Sequence, residues 1–179
     1  YIATSRNNGL ALLALAQMSE KGLGIEKDLG KAVAYYEQAA ELHLGPAYLA
    51  LAKLLRNNDG PTLELSELNA EDLNTYMQYL EQAALLNIAE AKYLLAAYYL
   101  DAPSKEPKKE RNYTAYKWMG KAAADGFVEA QYMMAVMHCK GIGTIRSHNE
   151  AQYWINKLSE AQIISSEKIV ELQNCIKDL

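Results

Sequence analysis

Apolar positions recur along the chain at the three-and-four spacing of an amphipathic helix, and each run stops at a turn signal. From Gly9 to Lys21, Ala11, Leu15, Met18 and Ser19 share one side, with the small Ala16 between them. Gly22-Leu23-Gly24 ends that run, because glycine takes the left-handed conformation that stops a helix cheaply. Asp28 fits the N-cap of a second helix over Leu29–Leu42, whose apolar face is Ala32, Tyr35, Tyr36, Ala39 and Ala40. The unit is therefore helix, glycine turn, capped helix and short return loop.

The same arrangement comes back three times. Leu51, Ala52, Leu54 and Leu55 open the second unit, Leu95, Ala96, Tyr98 and Tyr99 the third, and Met134, Ala135, Met137 and His138 the fourth. Tyr76, Tyr79, Leu80, Ala83 and Ala84, then Trp118, Met119, Ala122 and Ala123, then Ala151, Trp154, Ile155 and Leu158 mark the second helices. A self-similarity of about 36 residues predicts stacked helical hairpins, in which each repeat buries its neighbour's face. The predicted divisions are 1–8 (the end of a preceding repeat), 9–46, 47–90, 91–129, 130–164, and a capping helix over 165–179. The second and third turns depart from the glycine type. The second holds Asn57-Asn58-Asp59-Gly60-Pro61 and an insert with Leu63, Leu65 and Leu68, expected to fold back as a helical turn. The third, Asp101 to Asn112, is rich in Lys and Pro and is expected to be an exposed loop. Asn69 and Asp72 compete as cap of the following helix, while Ser147 with Glu150 forms a capping box before the last hairpin helix.

Composition narrows the class of function. The 179 residues carry a net charge of −4 with no basic run interleaved with aromatics, which argues against a nucleic-acid partner. No apolar stretch is long enough to cross a membrane. The chain starts at Tyr1 without a visible signal peptide, and the repeat register places Tyr1-Ile2-Ala3-Thr4 at the end of an earlier helix, so a fragment of a longer protein is expected. Cys139 and Cys175 are 36 residues apart, one repeat. Equivalent positions on stacked helices sit about 8–10 Å apart. A disulfide needs about 7 Å or less, so no bridge is expected.

Candidate chemistry is sparse. The Gly-x-Gly turns lack the strand and the longer glycine pattern of a phosphate loop. His138, Cys139 and His148 lack metal-ligand spacing, and Glu71-Asp72 sits where a helix dipole favours acid. No nucleophile–base signature is present, so neither an enzyme nor a cofactor is expected. A first-helix face is the stronger signal. Two positions after each starting alanine lie Leu13, Leu49, Tyr93 and Tyr132; six after lie Gln17, Lys53, Ala97 and Val136; nine after lie Glu20, Arg56, Leu100 and Cys139. At 100° per residue these point away from the buried stripe. The face is charged at its N-terminal end (Lys53, Arg56) and apolar and aromatic at its C-terminal end. Of the whole set, Leu49, Lys53, Arg56, Tyr93, Ala97, Leu100, Tyr132 and Val136 are the expected partner-binding residues. Gly22, Gly24, Asp28, Gly141, Gly143 and Ser147 are expected to be structural turns and caps. The two long turns carry opposite charge, Asp59, Glu64 and Glu67 against Lys105, Lys108, Lys109 and Arg111.

These residues resemble the Sel1-like repeat, a relative of the tetratricopeptide repeat. The resemblance rests on Gly22, Gly24, Asp28, Lys31-Ala32, Tyr35-Tyr36 and Gln38-Ala39-Ala40; on Gly141, Gly143, Ala151, Trp154-Ile155 and Lys157; and on Ala115, Trp118-Met119, Lys121-Ala122-Ala123 and Gly126. The second repeat keeps only Asp72, Tyr79-Leu80 and Gln82-Ala83-Ala84, and Ala16, Ala52, Ala96 and Ala135 stand where the family has glycine. The resemblance implies an all-α, right-handed solenoid whose first helices line a concave groove. It implies a bacterial, non-catalytic scaffold that binds a protein or peptide, as a monomer or weak dimer, with the periplasm or envelope favoured over the cytoplasm. Two narrower readings follow from the family: an immunity protein that neutralises a secreted effector, and an envelope scaffold that binds carbohydrate or a cell-wall hydrolase. A hydrolase would need a cleft of convergent polar groups, and the sequence places none.

Overall fold

The computed structural model describes residues 2–56, 64–101, 106–162 and 164–177, with side chains from residue 8 onward. Tyr1, Asn57 to Leu63 and Ala102 to Lys105, which entered the reading above, lie outside the described residues. Among the described residues there are nine α-helices and no strand: α1 (Ile2–Lys21), α2 (Leu29–Glu41), α3 (Gly45–Arg56), α4 (Ala70–Leu85), α5 (Ala89–Asp101), α6 (Lys108–Ala124), α7 (Val128–Lys140), α8 (His148–Ala161) and α9 (Ser166–Lys177). The fold is an all-α solenoid of helical hairpins. It divides into two compact units, residues 1–91 and residues 92–179.

In the first unit α1 packs on α2, α2 on α3 and α3 on α4. Its core is built on small residues: Ala16, Ala32, Ala39 and Ala47 are fully buried around Leu13, Tyr36 and Leu51. Alanine brings helix axes close, and the larger side chains fill what remains. The Tyr36 hydroxyl donates to Glu20 at 2.6 Å. Gly45 marks a further close approach, since a Cβ there would lie 2.7 Å from Ile88. The insert before α4 makes one 3-10 turn, Leu65–Glu67, and Asn69, not Asp72, caps α4 by accepting from the Asp72 N–H at 2.9 Å.

The second unit holds α6 against α7, α7 against α8, and α9 against both α7 and α8. Ala96, Ala115, Ala122, Ala123, Ala130, Ala135 and Ala151 are fully buried there with Met119, Met137, Ile155 and Leu158. Leu172 and Ile176 of α9 enter the same core. A helix with one apolar side and a polar back covers the hairpin's hydrophobic face in this way.

The connections use two backbone devices. After the first helix, Gly22 and Gly24 (φ 67° and 75°) in repeat 1, and Gly141 and Gly143 (φ 71° and 69°) in repeat 4, turn the chain. The cap residue then ties back: the Asp28 N–H donates to Ser19 O and the Ser147 N–H to His138 O, each at 2.9 Å. After the second helix, His43, Asn87 and Gly126 (φ 57°, 66° and 89°) make the return. Their N–H groups bond Ala40, Ala84 and Ala123, and the apolar residue that follows (Leu44, Ile88 or Phe127) bonds one residue further back.

Four expectations are corrected. Helix α1 runs without a break through Gly9, where a Cβ would strike Leu44, so residues 2–8 lengthen this helix and do not end another. Ala11 and Leu15 are exposed on α1, not part of its buried stripe. Lys108 to Asn112 are helical, since Pro107 sits at the N-cap of α6. Finally, Cys139 and Cys175 form a disulfide, with Cα atoms 6.1 Å apart. The distance between stacked helices does not apply to α9, which packs against α7 as well as α8 and brings the two cysteines within bonding reach.

Candidate functional site

The expected partner-binding residues divide between the two units. In the first unit Leu49 is half-buried on α3. Lys53 pairs with Glu90 at 2.7 Å, and the Arg56 guanidinium lies 5.9 Å from the centre of the Tyr76 ring. Leu13, in the same sequence series, is inside the core with Ala47 and Leu51 and offers nothing to a partner.

In the second unit Tyr93 of α5 and Tyr132 of α7 are brought together on one cleft of about 590 Å³. Val128 and Met133 of α7 and Ile164 of the α8–α9 connection supply its apolar lining. Glu129 and Lys168 put one carboxylate and one ammonium on its rim. Tyr93 is held by Phe127, with ring centres 5.1 Å apart. The Tyr132 hydroxyl donates to Glu171 at 3.3 Å, and Lys168 Nζ lies 5.6 Å from the Tyr132 ring centre. Burial, with the Glu129 and Asp101 carboxylates behind it, pushes the Tyr93 hydroxyl up. Burial and Glu171 do the same to Tyr132. Both phenols are therefore neutral donors at physiological pH. Ala97, Leu100 and Val136 are half-buried, and Leu100 and Val136 pack against the core of the unit. None of the three lines the cleft. Cys139, nine after the starting alanine, is buried and bridged to Cys175.

The turn and cap residues have defined partners. Asp28 accepts from the Lys31 N–H at 3.0 Å, and this bond with the Lys31 side chain holds its carboxyl below the ordinary carboxylate value. Ser147 Oγ accepts from the Glu150 N–H at 3.3 Å. Of the three residues weighed as metal ligands, Cys139 is in the disulfide and His148 Nδ1 lies 3.3 Å from Ile176 O. His138 Nε2 lies 3.4 Å from the Tyr116 hydroxyl. Among the described residues no three His, Cys, Asp or Glu side chains are grouped to hold a metal. No helix among them is long and apolar enough to cross a membrane.

A second recess lies off the first-helix face on which the sequence signal was read. In the first unit Leu29, Val33 and Glu37 of α2 face Leu54, Leu55 and Tyr79 across about 340 Å³. The signal was available in the sequence, since Leu29, Val33 and Glu37 follow one another at i, i+4 and i+8, beside the alanine stripe. Burial and the Glu37 carboxylate raise the Tyr79 hydroxyl.

The Sel1 repeat family matches the chain at residues 9–44, 89–127 and 128–162. A Sel1 repeat protein from Oxalobacter formigenes is similar in structure, with a TM-score of 0.76 at 25% identity over 97% of this chain and 48% of that one. A protective antigen of uropathogenic Escherichia coli strains, which displays an SLR fold, is similar with a TM-score of 0.67 at 26% identity over 83% of this chain and 30% of that one. The chain thus spans about half the length of the first structure and less than a third of the second. No curated protein matches it.

Proposed function

Because the chain belongs to the Sel1 repeat family, whose members are generally protein-interaction scaffolds, we propose that it binds a partner protein without chemistry, through the aromatic cleft of α5, α7 and α9. The observation that carries this reading is the meeting of Tyr93 and Tyr132 on one partly apolar recess. Tyrosine offers a large stiff surface and a hydroxyl donor, which is why it dominates many interface hot spots. The neutral phenols, the apolar lining from Val128, Met133 and Ile164, and the paired charges of Glu129 and Lys168 suit a peptide with one or two apolar anchors and a polar backbone. Lys168 lies over one side of Tyr132 and Phe127 packs at an angle against Tyr93, so both rings are held in place before a partner arrives.

The test is capture of partners from the organism that encodes the chain, intact against Tyr93→Ala/Tyr132→Ala, followed by titration of the purified partner. Each substitution is expected to weaken binding by about 1–2 kcal/mol. An unchanged affinity in the double variant overturns the assignment of the cleft.

A further inference from the structure

A second cleft in residues 92–179 lies away from the two tyrosines. The start of α6 and the α7–α8 turn enclose about 580 Å³, with Lys108, Lys109 and Tyr113 on one side and Thr144 and Ile145 on the other. Ile145 is 82% exposed, the most of any large apolar side chain among the described residues, and Tyr113 is 55% exposed. Lys117 lies 5.3 Å from the Tyr113 ring centre and extends the basic side. Lys108 and Lys109 are exposed and have no acidic partner among the described residues. They stand in the first turn of α6 beside Glu110, where the helix dipole disfavours positive charge. The equivalent turn of repeat 1 lacks this character: Glu26 occupies the place of Ile145 there, and a Cβ on Gly24 would meet no atom within 4 Å.

Two lysines stand on a dipole of the wrong sign and an isoleucine leaves its apolar surface in water, and one kind of occupant answers both. We propose that this cleft docks an acidic peptide segment bearing an apolar anchor. Its carboxylates meet Lys108 and Lys109, and its anchor covers Ile145 and Tyr113. Charge distribution supports that choice. Residues 1–91 hold 6 Lys and Arg against 12 Asp and Glu, whereas residues 92–179 hold 12 against 10, so the cleft belongs to the part of the chain with a positive excess. Electrostatic complementarity of this kind sets partner choice and encounter rate.

The experiment pans a displayed random-peptide library against the full chain, then titrates synthetic peptides from the selected consensus. The expected consensus has two or more acidic residues around an apolar one. Its affinity is expected to fall about tenfold or more in Lys108→Glu/Lys109→Glu and with rising salt. It should fall again in Ile145→Ser and be unmoved by Tyr93→Ala/Tyr132→Ala. All these positions are at least half-exposed or surface-lining, and circular dichroism checks that each variant folds. An empty selection, a consensus without acids, or equal binding to the charge-reversed variant overturns the proposal. So does self-association in sedimentation that the charge reversal abolishes, because the occupant would then be a second copy. Binders lost only in the tyrosine variants would belong to the α5–α7–α9 cleft and would also count against this one.

Discussion

Two glycines at the same place in two repeats separate backbone strain from packing. Gly24 and Gly143 have φ of 75° and 69°, so alanine at either meets a similar left-handed penalty of about 1 kcal/mol. Their surroundings differ. A Cβ at Gly24 meets nothing within 4 Å, whereas one at Gly143 falls on the carbonyl of Asn112 and lies 2.9 Å from Tyr116 Cβ. Neither obstacle is a side-chain end that can rotate away, so the first half of α6 must move. Such forced displacements cost about 1–3 kcal/mol more. Gly24→Ala is therefore expected to lose about 1 kcal/mol and Gly143→Ala about 3 kcal/mol. At about 2–4 °C per kcal/mol for a chain of this size, the melting temperatures should fall by about 3 °C and about 9 °C. The assay is thermal and urea unfolding followed by circular dichroism. Repeat arrays can unfold in parts, so amide exchange is needed as well, and it should be enhanced across α6 and the α7–α8 turn only in Gly143→Ala. Equal losses in the two variants would refute the packing argument and leave conformation alone as the reason for glycine.

Three further outcomes follow from the same structure. Reducing Cys139–Cys175, which closes a separation of 36 residues, is expected to cost about 4 kcal/mol on a chain-entropy estimate, seen as early loss of protection at Leu172 and Ile176; an unchanged transition in dithiothreitol refutes it. Lys92 is 6% exposed and its ammonium pairs with Asp125, so Asp125→Ala, which leaves that charge buried without its carboxylate, should cost about 3 kcal/mol. Glu90→Ala, which breaks the exposed pair with Lys53, should cost less than about 1 kcal/mol, and equal costs would show that burial is not what matters. Burial pushes the His138 imidazole below its ordinary 6.5, against a smaller upward pull from Glu150. The unfolded chain therefore binds this proton more readily, and stability is expected to fall as pH drops below about 6.5 and to be fully present above it. His138→Gln should flatten that part of a urea-midpoint profile, and an unaltered profile would remove His138 as its source.

The hairpin pattern was readable because it rests on local rules. Alanine pairs such as Ala39-Ala40, Ala83-Ala84 and Ala122-Ala123 announce close helix contact, and all six are buried. The Gly-x-Gly turns announce a helix end, and their φ values are left-handed. Where a glycine serves packing instead, the same rule misleads: Gly9 sits inside α1 to make room for Leu44. Left-handed returns without glycine at His43 and Asn87 carry a weaker mark, since His and Asn enter that conformation more often than other side chains but also sit elsewhere. Their conformation is imposed by Leu44 and Ile88, which must turn back onto the preceding helix.

The candidate site was only half readable, for a reason that lies in α9. Tyr93 and Tyr132 occupy equivalent places in successive repeats, so the repeat rule alone brings them near each other. The opposite side of their cleft comes from Ile164, Ser165 and Lys168, and the partner of the Tyr132 hydroxyl is Glu171. Those residues follow no repeat. Their positions depend on α9 docking against α7 and α8 through Leu172 and Ile176 and on its attachment at Cys175. The expectation that Cys139 and Cys175 stay apart applied the repeat's spacing to a helix that caps the hairpins, and the first-helix face by itself carries no information on Ile164, Lys168 or Glu171. A helix that lies outside the repeat pattern is free of the repeat's spacing. It can close the core and build one wall of a binding cleft at once, because neither task needs it to match the helices before it.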